Sequence, residues 1–341
     1  MCLNNLFVTK NGKRKGKFRY LCTLCNKSFS VDFSHTKLNV FDLLKYHLDG
    51  LSLRKLSNNE LFPKSTRIFE LIAPLIKKFP SCLQLTTQHC NMSKFSGKLV
   101  FDGTYVSVKG YENKIPLIWG FDYDSHDCPH AMLVPSENYQ ACVKYFFDLK
   151  RIGYNLKYLV CDDNPAIKLA AAYVYPNVVI QTCLRHYLEN LRKYLGIKSS
   201  DKYLNFFNDV KSAIYDKRLC EPELFFEIAK LNNKYNKDQL QRDVLTDITI
   251  KRVELTNYHM FENCPRTTNL IEGFNGHLKD RLKSIRGFKS FFTAQDWLNA
   301  YVLRRRTTKF KACNGNFKCL NGKAPIESTL KETKDLPDIF N

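Results

Sequence analysis

The chain has 341 residues, and its 53 Lys and Arg residues outnumber 33 Asp and Glu residues, giving a formal net charge of +20. A hydrophobic fraction of 44% excludes intrinsic disorder and supports about two domains, and no apolar run approaches the ~18 residues of a membrane span. Thirteen cysteines without a secretory signal indicate reduced thiols in a soluble intracellular protein, in a prokaryotic cytoplasm or a eukaryotic nucleus. The surplus of positive charge makes nucleic acid the first partner to test.

Residues 1–36 are a small basic segment that contains one CxxC pair, which is two of the four ligands of a structural zinc site. Cys22 and Cys25 have the CxxC separation of two thiolate ligands, and Cys2 and His35 are the remaining candidates. We therefore predict a zinc-ribbon-like segment that binds Zn²⁺, with a truncated or metal-free finger as the alternative. The segment also contains a cluster of cations that we expect to contact DNA phosphates: Lys13, Arg14, Lys15, Lys17 and Arg19.

Three short helices are predicted within residues 37–90. Leucines at helical spacing mark the first, residues 51–57 form the second, and Ser65-Thr66 opens the third. The third helix is basic, so the group fits a DNA-binding helix-turn-helix, although any small helical bundle gives the same pattern.

Strand and helix patterns alternate from residue 98 onwards. Segments rich in β-branched and aromatic residues predict five strands, at 99–108, 115–121, 131–134, 156–161 and 178–181. Helical patterns follow the third, fourth and fifth strands, at 137–151, 164–174 and 183–195. The order β-β-β-α-β-α-β-α predicts an α/β fold, a mixed sheet with helices on both faces, and it is also the order of the ribonuclease H-like fold. A helical stretch at about 199–263 and helices at about 267–285 and 291–306 complete the pattern.

Acidic residues interrupt two of the predicted strands. Asp102 lies inside the first strand, where an acidic residue is disfavoured and a buried carboxylate needs a partner or a metal. Asp162 and Asp163 end the fourth strand, where open α/β sheets bind ligands. Since Asp163 could instead cap the next helix, Asp162 is the stronger candidate for chemistry.

Glu272 is the third acidic candidate. It shares one side of its predicted helix with Asn269, Gly276, Lys279 and Lys283. A solvated glutamate on an amphipathic helix is one explanation. However, Gly273 and Gly276 each cost about 1 kcal/mol relative to alanine in a helix, which predicts a close approach to another group.

The three carboxylates would come from separate elements, which suits two divalent ions. Hard oxygen ligands can hold two Mg²⁺ or Mn²⁺ ions ~3.5–4 Å apart, where they activate one oxygen and stabilise another. Lys279 and Lys283 on the Glu272 helix would then meet phosphate.

A further basic cluster, expected to contact DNA, ends the last predicted helix: Arg304, Arg305 and Arg306. A solvated surface is the alternative for any one cluster, but three clusters favour nucleic acid.

Several blocks resemble the Mutator-like (MULE-type) DDE transposases of insertion sequences. Asp102-Gly103-Thr104-Tyr105 and residues 160–164 are similar to the family's first two acidic blocks, and residues 267–275 are similar to the third. Residues 175–186 look like its Cys-x-x-His block, and residues 320–327 look like the tail of many such transposases. The front of the chain resembles their zinc-ribbon and helix-turn-helix headpiece.

The resemblance implies a transposase that binds element ends and performs Mg²⁺- or Mn²⁺-dependent cleavage and strand transfer. Asp102, Asp162 and Glu272 would be its metal-binding triad. It also implies a catalytic domain at 97–310 with a helical insertion at about 199–263, a C-terminal tail at 311–341, and a homo-oligomer on double-stranded DNA. The residues expected to have accessory roles are Cys183, His186, Asn269 and Asp163, the last of which replaces a residue that is often small in the family.

Other interpretations remain open from the sequence. Cys183 and His186 would also fit a buried cysteine and a hydrogen-bonded histidine of an ordinary helix. The whole chain would also fit an inactive or domesticated DNA-binding protein, or a metal nuclease of the same fold that never joins strands.

Overall fold

A computed structural model describes residues 7–14, 17–30, 39–59, 62–285, 287–332 and 339–340. Cys2, Lys15 and His35 lie outside these ranges, so the complete set of zinc ligands stays a prediction. No helix among the described residues is both long enough and apolar enough to cross a bilayer.

The N-terminal segment forms a three-stranded antiparallel sheet in the order β1-β2-β3. Its strands are Val8–Arg14 (β1), Lys17–Cys22 (β2) and Ser28–Ser30 (β3). Cys22 is buried at the end of β2, and Cys25 is exposed in the turn that follows. Four residues of the predicted cation cluster, Lys13, Arg14, Lys17 and Arg19, belong to β1 and β2, and the Nζ of Lys13 is 4.3 Å from the centre of the Phe18 ring.

Four helices follow, of which three were predicted. They are Val40–Leu48 (α1), Leu53–Ser57 (α2), Ser65–Lys78 (α3) and Cys82–His89 (α4). The fourth, α4, begins with a capping box in which the Ser81 hydroxyl and the Gln84 side chain each accept a backbone N–H of the other residue. Buried residues of α1, α3 and α4 belong to the same hydrophobic core as the central sheet, and the predicted domain limits remain predictions.

The central sheet has five strands in the order β6-β5-β4-β7-β8. They are Lys98–Val106 (β4), Ile115–Asp122 (β5), His130–Leu133 (β6), Tyr158–Cys161 (β7) and Val179–Thr182 (β8). The first three are antiparallel neighbours, and β7 and β8 run parallel to β4. Every residue of β5 is buried, so both faces of the sheet are covered there. The mixed α/β prediction is confirmed, and the topology is compatible with a ribonuclease H-like fold.

Eight helices are described after β6, and three of them lie within the predicted insertion at about 199–263. The helices outside it are Tyr139–Arg151 (α5), Pro165–Val174 (α6), Leu184–Tyr194 (α7), Asn269–Leu282 (α11) and Phe291–Thr307 (α12). The helices within the predicted insertion are Leu204–Tyr215 (α8), Glu221–Tyr235 (α9) and Gln239–Thr256 (α10). Together with α7, the insertion helices bury a second apolar core, separate from that of the sheet.

A buried ion pair ties α12 to the remainder of the main core. The Arg306 side chain is 1% exposed and donates hydrogen bonds of 2.7 Å to both carboxylate oxygens of Asp127. It also donates to the Thr86 hydroxyl on α4, and Thr329 near the C-terminus donates to Asp127. The prediction that Arg306 contacts DNA is therefore wrong, because its guanidinium is enclosed by these partners.

The other two arginines of the cluster are half-buried. Arg304 pairs with Asp49 on the α1 side, at 2.6 Å, and the Arg305 guanidinium lies 5.5 Å from the centre of the Phe274 ring. Consecutive helical residues point about 100° apart, so three adjacent arginines reach three different environments.

We expect Arg306→Met to lower the free energy of unfolding by about 3–5 kcal/mol, because it leaves Asp127 buried without its charge partner. Urea denaturation followed by circular dichroism measures this loss. Lys309→Ala, which removes an exposed cation three residues away, should change stability by less than about 0.5 kcal/mol. Equal stabilities for the two variants would contradict a structural role for the pair.

Candidate active site

Asp102 and Asp162 are brought together by strand register. In the parallel pair β4 and β7, Val100 lies opposite Val160. Asp102 and Asp162 each follow two residues after these paired valines. Side chains alternate with a period of two along strands, so the aspartates are neighbours on one face where β7 ends. Burial, and then the charge of Asp162, raises the pKa of Asp102 from its ordinary value of 3.8 to about 7.

Asn275 on α11 holds the Asp102 carboxylate. Its Nδ2 donates to Asp102 Oδ2 at 2.8 Å, and its Oδ1 accepts hydrogen bonds from Trp119 Nε1, at 2.9 Å, and from the Thr104 hydroxyl. The backbone N–H of Gly103 donates to the other oxygen of Asp102 at 2.7 Å. Sequence reasoning missed Asn275, and the available signal was its position one helical turn after Glu272.

Glu272 on α11 contacts two cationic side chains, Arg185 and His186, and His186 also contacts Asp162. Its Oε2 accepts a hydrogen bond from the Arg185 guanidinium, and its Oε1 is 3.6 Å from His186 Nε2. The Nδ1 of the same histidine contacts Asp162 Oδ1. Because its side chain is only 22% exposed and lies against two cationic groups, Glu272 is not the solvated glutamate of the alternative explanation.

His186 therefore lies between two carboxylates. The contact with Asp162, followed by that with Cys183, raises the pKa of His186 to about 10, so the ring is an imidazolium at neutral pH. Arg185, which sequence reasoning also missed, lies between the predicted Cys183 and His186 and additionally donates to Asn269 Oδ1 at 3.3 Å.

Thr268, the residue before α11, connects the two helices that carry these groups. Its N–H donates to Cys183 Sγ at 3.3 Å, and its hydroxyl lies 3.2 Å from that sulfur and 3.3 Å from His186 Nδ1. Burial opposes ionisation of Cys183, but hydrogen bonds with His186 and Thr268 lower the pKa of the thiol overall. Cys183 is buried and His186 is hydrogen-bonded, which the ordinary-helix alternative also expects, so their accessory role stays a prediction.

Asp163 faces a different set of partners. Its carboxylate forms ion pairs with Lys168 and Lys251, the latter at 2.6 Å, and these lysines lower its pKa although burial opposes them. The alternative that Asp163 caps the next helix is wrong, because the side chain of Asn164 accepts the N–H of Ala166 and caps α6. An accessory role of Asp163 stays a prediction.

The surface of α11 beside Glu272 is open. Gly273 and Gly276 are exposed, and no described atom outside their own helix lies within 4 Å of a Cβ built on either. The close approach predicted for them is thus not made by the protein itself. Lys279 and Lys283 are exposed further along the helix, and Lys283 pairs with Asp280 at 2.8 Å.

The sequence profile described as "Transposase, Mutator family" matches residues 92–310, which is more than half of the chain and includes every residue of this site. The chain belongs to the Mutator family of transposases. Membership indicates DNA binding and a nuclease or transferase activity, and Mutator-family transposases commonly use a divalent metal. No curated protein sequence matches the chain.

The donor groups of this Mutator-family site fit a divalent cation. Asp162, Cys183 and His186 each offer one ligand atom, all within 4.8 Å of one another, and they are the only such group of three found in the described ranges; to ligate a metal, His186 would first have to release a proton. Asp102 and Glu272 add the carboxylate oxygens that Mg²⁺ and Mn²⁺ prefer. In the part of the chain that the structure describes, no lysine, arginine or histidine forms an ion pair with Asp102.

We expect the metal-free transposase to lose stability as the pH rises. The folded state binds a proton on Asp102 more tightly than the unfolded state, so between pH ~4 and ~7 the folded protein is progressively disfavoured. Asp102→Asn removes this cost and should be more stable than wild type by roughly 2–4 kcal/mol at pH 8.

Urea denaturation in the presence of a chelator, repeated from pH 4 to pH 8, measures the effect. The two proteins should nearly converge at pH 4, where the carboxyl is protonated in the folded state and close to half protonated in the unfolded state. A variant that is less stable than wild type at pH 8 would contradict the raised pKa of Asp102.

Proposed function

We propose that the protein is a DDE transposase that binds the ends of its element, cleaves them and joins them to target DNA. Asp102, Asp162 and Glu272 are its proposed catalytic triad. The register that aligns Asp102 with Asp162 is the observation that carries the proposal. Family membership supports it, because the same residues fall within the matched segment.

The triad would hold Mg²⁺ or Mn²⁺. Bound ions would activate the attacking oxygen of water or of a 3′-hydroxyl and stabilise the leaving oxygen. The protein's own groups set the positions of the ligands: Asn275 fixes Asp102 to α11, and Thr268 fixes the start of α11 to Cys183. Such preorganisation lowers the cost of assembling the site around a substrate.

His186 and Arg185 would keep the triad assembled before a metal binds. The imidazolium contacts both Asp162 and Glu272, and the guanidinium adds a second positive charge at Glu272. Without them, the carboxylates would repel each other across the gap between the sheet and α11. We propose that these cations also meet the scissile phosphate once a metal neutralises the acids.

The open side of α11 suits a DNA backbone. Gly273 and Gly276 leave room beside Glu272, and Lys279 and Lys283 offer two phosphate contacts on the same helix. The proposed headpiece, a zinc ribbon and a helix-turn-helix at residues 1–90, would recognise the element ends. A homo-oligomer would pair two ends, and a ribonuclease H-like domain would cut them.

We expect Asp102→Asn, Asp162→Asn and Glu272→Gln each to reduce strand cleavage by about 1,000-fold or more while leaving binding of the end DNA nearly unchanged, because each removes a charged metal ligand. Cleavage of labelled element ends in Mg²⁺ or Mn²⁺ measures the first effect, and a mobility-shift assay measures the second. Joined products distinguish a transposase from a nuclease.

Asp280→Asn provides a matched control, because Asp280 is an exposed aspartate on the same helix as Glu272. It should cleave at the wild-type rate. If two of the three triad variants still cut, the triad is misassigned; if wild type binds the ends but never cuts, the protein is a DNA-binding protein derived from a transposase.

A further inference from the structure

Phe292 lies in the first turn of α12 and is open to solvent. Its side chain is 75% exposed, the largest fraction among the large hydrophobic residues of the described ranges. A single exposed phenylalanine is ordinary on a protein surface. Phe292, however, belongs to a group of aromatic residues that two separate segments of the chain bring together.

Three aromatic rings meet at this place and are called the aromatic cluster here: Tyr111, Phe291 and Phe292. The centre of the Phe291 ring lies 6.1 Å from that of Phe292 and 6.3 Å from that of Tyr111. Tyr111 is 37% exposed in the loop between β4 and β5, and Phe291 is half-buried against the main core. Phe291 therefore anchors the cluster, while Tyr111 and Phe292 reach solvent.

Backbone hydrogen bonds fix the loop to the start of α12. The N–H of Phe288 donates to the carbonyl of Ser107 at 2.9 Å, and the N–H of Lys109 donates to the carbonyl of Phe288 at 2.8 Å. Gly287 permits this approach, because its φ is +104° and a Cβ there would lie 3.4 Å from the Ser107 carbonyl oxygen. The aromatic cluster is therefore held in place before any partner binds.

Positive charge surrounds the aromatic cluster. Residues 107–114 and 279–296 contain seven Lys and Arg residues and three Asp and Glu residues. Lys109 and Lys289 are exposed beside the backbone pairing of the two segments, and neither forms an ion pair within the described ranges. Exposed rings next to unpaired cations suit the bases and phosphates of nucleic acid. A second copy of the chain is disfavoured as the partner, because it would bring the same cations against each other.

The strand that carries Asp102 leads directly to the aromatic cluster. Val108, which pairs with Phe288, follows Asp102 after six residues. A strand rises about 3.3 Å per residue, so the cluster lies about 20 Å from Asp102. Each DNA strand carries one phosphate per ~3.4 Å. A duplex that lies along β4 and is cut beside Asp102 would therefore reach the cluster about six nucleotides from the cut.

We propose that the aromatic cluster binds the DNA beside the cleavage site, where Phe292 inserts between two base pairs and Lys109 and Lys289 contact the flanking phosphates. This inference rests on the proposed function. Apolar side chains that enter a duplex partially unstack one base step and bend the DNA. Phe292 is then a DNA-contacting residue that shapes the substrate, and Phe291 supports it from the core side.

Binding and bending of the element's end duplex by the full-length protein test the proposal. Fluorescence anisotropy in the presence of a chelator measures affinity without cleavage, and energy transfer between dyes at the two duplex ends measures the bend. We expect Phe292→Ala to bind about tenfold more weakly and to bend the duplex less, whereas Phe292→Trp keeps both properties. Tyr173→Ala is the matched control, because it removes a ring of α6 that is 72% exposed, and it should behave like wild type.

Two further readouts separate base insertion from charge and from folding. We expect 2-aminopurine placed about six nucleotides from the cut to brighten when wild type binds, because its base step is opened, and not when Phe292→Ala binds. Lys109→Ala and Lys289→Ala should each lower the salt dependence of binding by about one phosphate contact, whereas Phe292→Ala should not change it. The melting temperature of Phe292→Ala should stay within about 2 °C of wild type, because the side chain is exposed.

The possible results distinguish the two levels of inference. If wild type neither binds nor cuts the element ends, the proposed function fails and the role of Phe292 fails with it. If wild type binds and cuts them, but Phe292→Ala binds and bends the DNA like wild type, only the role of Phe292 is overturned. If Phe292→Ala lowers the mass of the DNA-free protein in ultracentrifugation and leaves bending unchanged, the cluster is an interface between copies, which also overturns the proposal.

Discussion

Repulsion between closely spaced carboxylates is the constraint on which this site depends. Strand register makes Asp102 and Asp162 neighbours, and partial burial strengthens their repulsion because less water screens it. Two features offset this repulsion. His186 and Arg185 place positive charge next to Asp162 and Glu272, and Asn275 joins α11 to β4 and β5 by hydrogen bonds. These contacts hold Asp102, Asp162 and Glu272, which come from three different elements, at the same edge of the sheet.

The sheet and its helices were predictable because burial leaves a direct trace in the sequence. β5 is buried throughout, and its residues from Ile115 to Phe121 form a continuous apolar run, while α5 shows apolar residues at helical spacing. The short helix α4 escaped prediction because its apolar residues are few, although the capping box from Ser81 to Gln84 was a usable signal. The zinc site of the N-terminal segment remains a prediction.

The site residues divide according to whether their role is local. Asp102 was detectable because an acidic residue conflicts with the strand around it, and the conflict needs no knowledge of distant partners. Asn275 had no such conflict, since its role depends on β4 and β5 being packed against α11. The role of Arg306 depends on which of three adjacent arginines pairs with Asp127. Tertiary packing decides this, so it could not be predicted from the sequence.

The position of Asp163 has a consequence for the modularity of the protein. The predicted insertion packs into a hydrophobic core that is separate from that of the sheet but is shared with α7. Yet Lys251, on the last insertion helix, is paired with the residue that follows Asp162, and Glu254 on the same helix accepts hydrogen bonds from Lys168 and Thr182. Removing the insertion would remove these ion pairs and hydrogen bonds from the ends of β7 and β8, beside the proposed triad. The insertion helices and the sheet are therefore coupled at the strand ends beside Asp162, so the insertion cannot be exchanged as an independent part without losing these contacts.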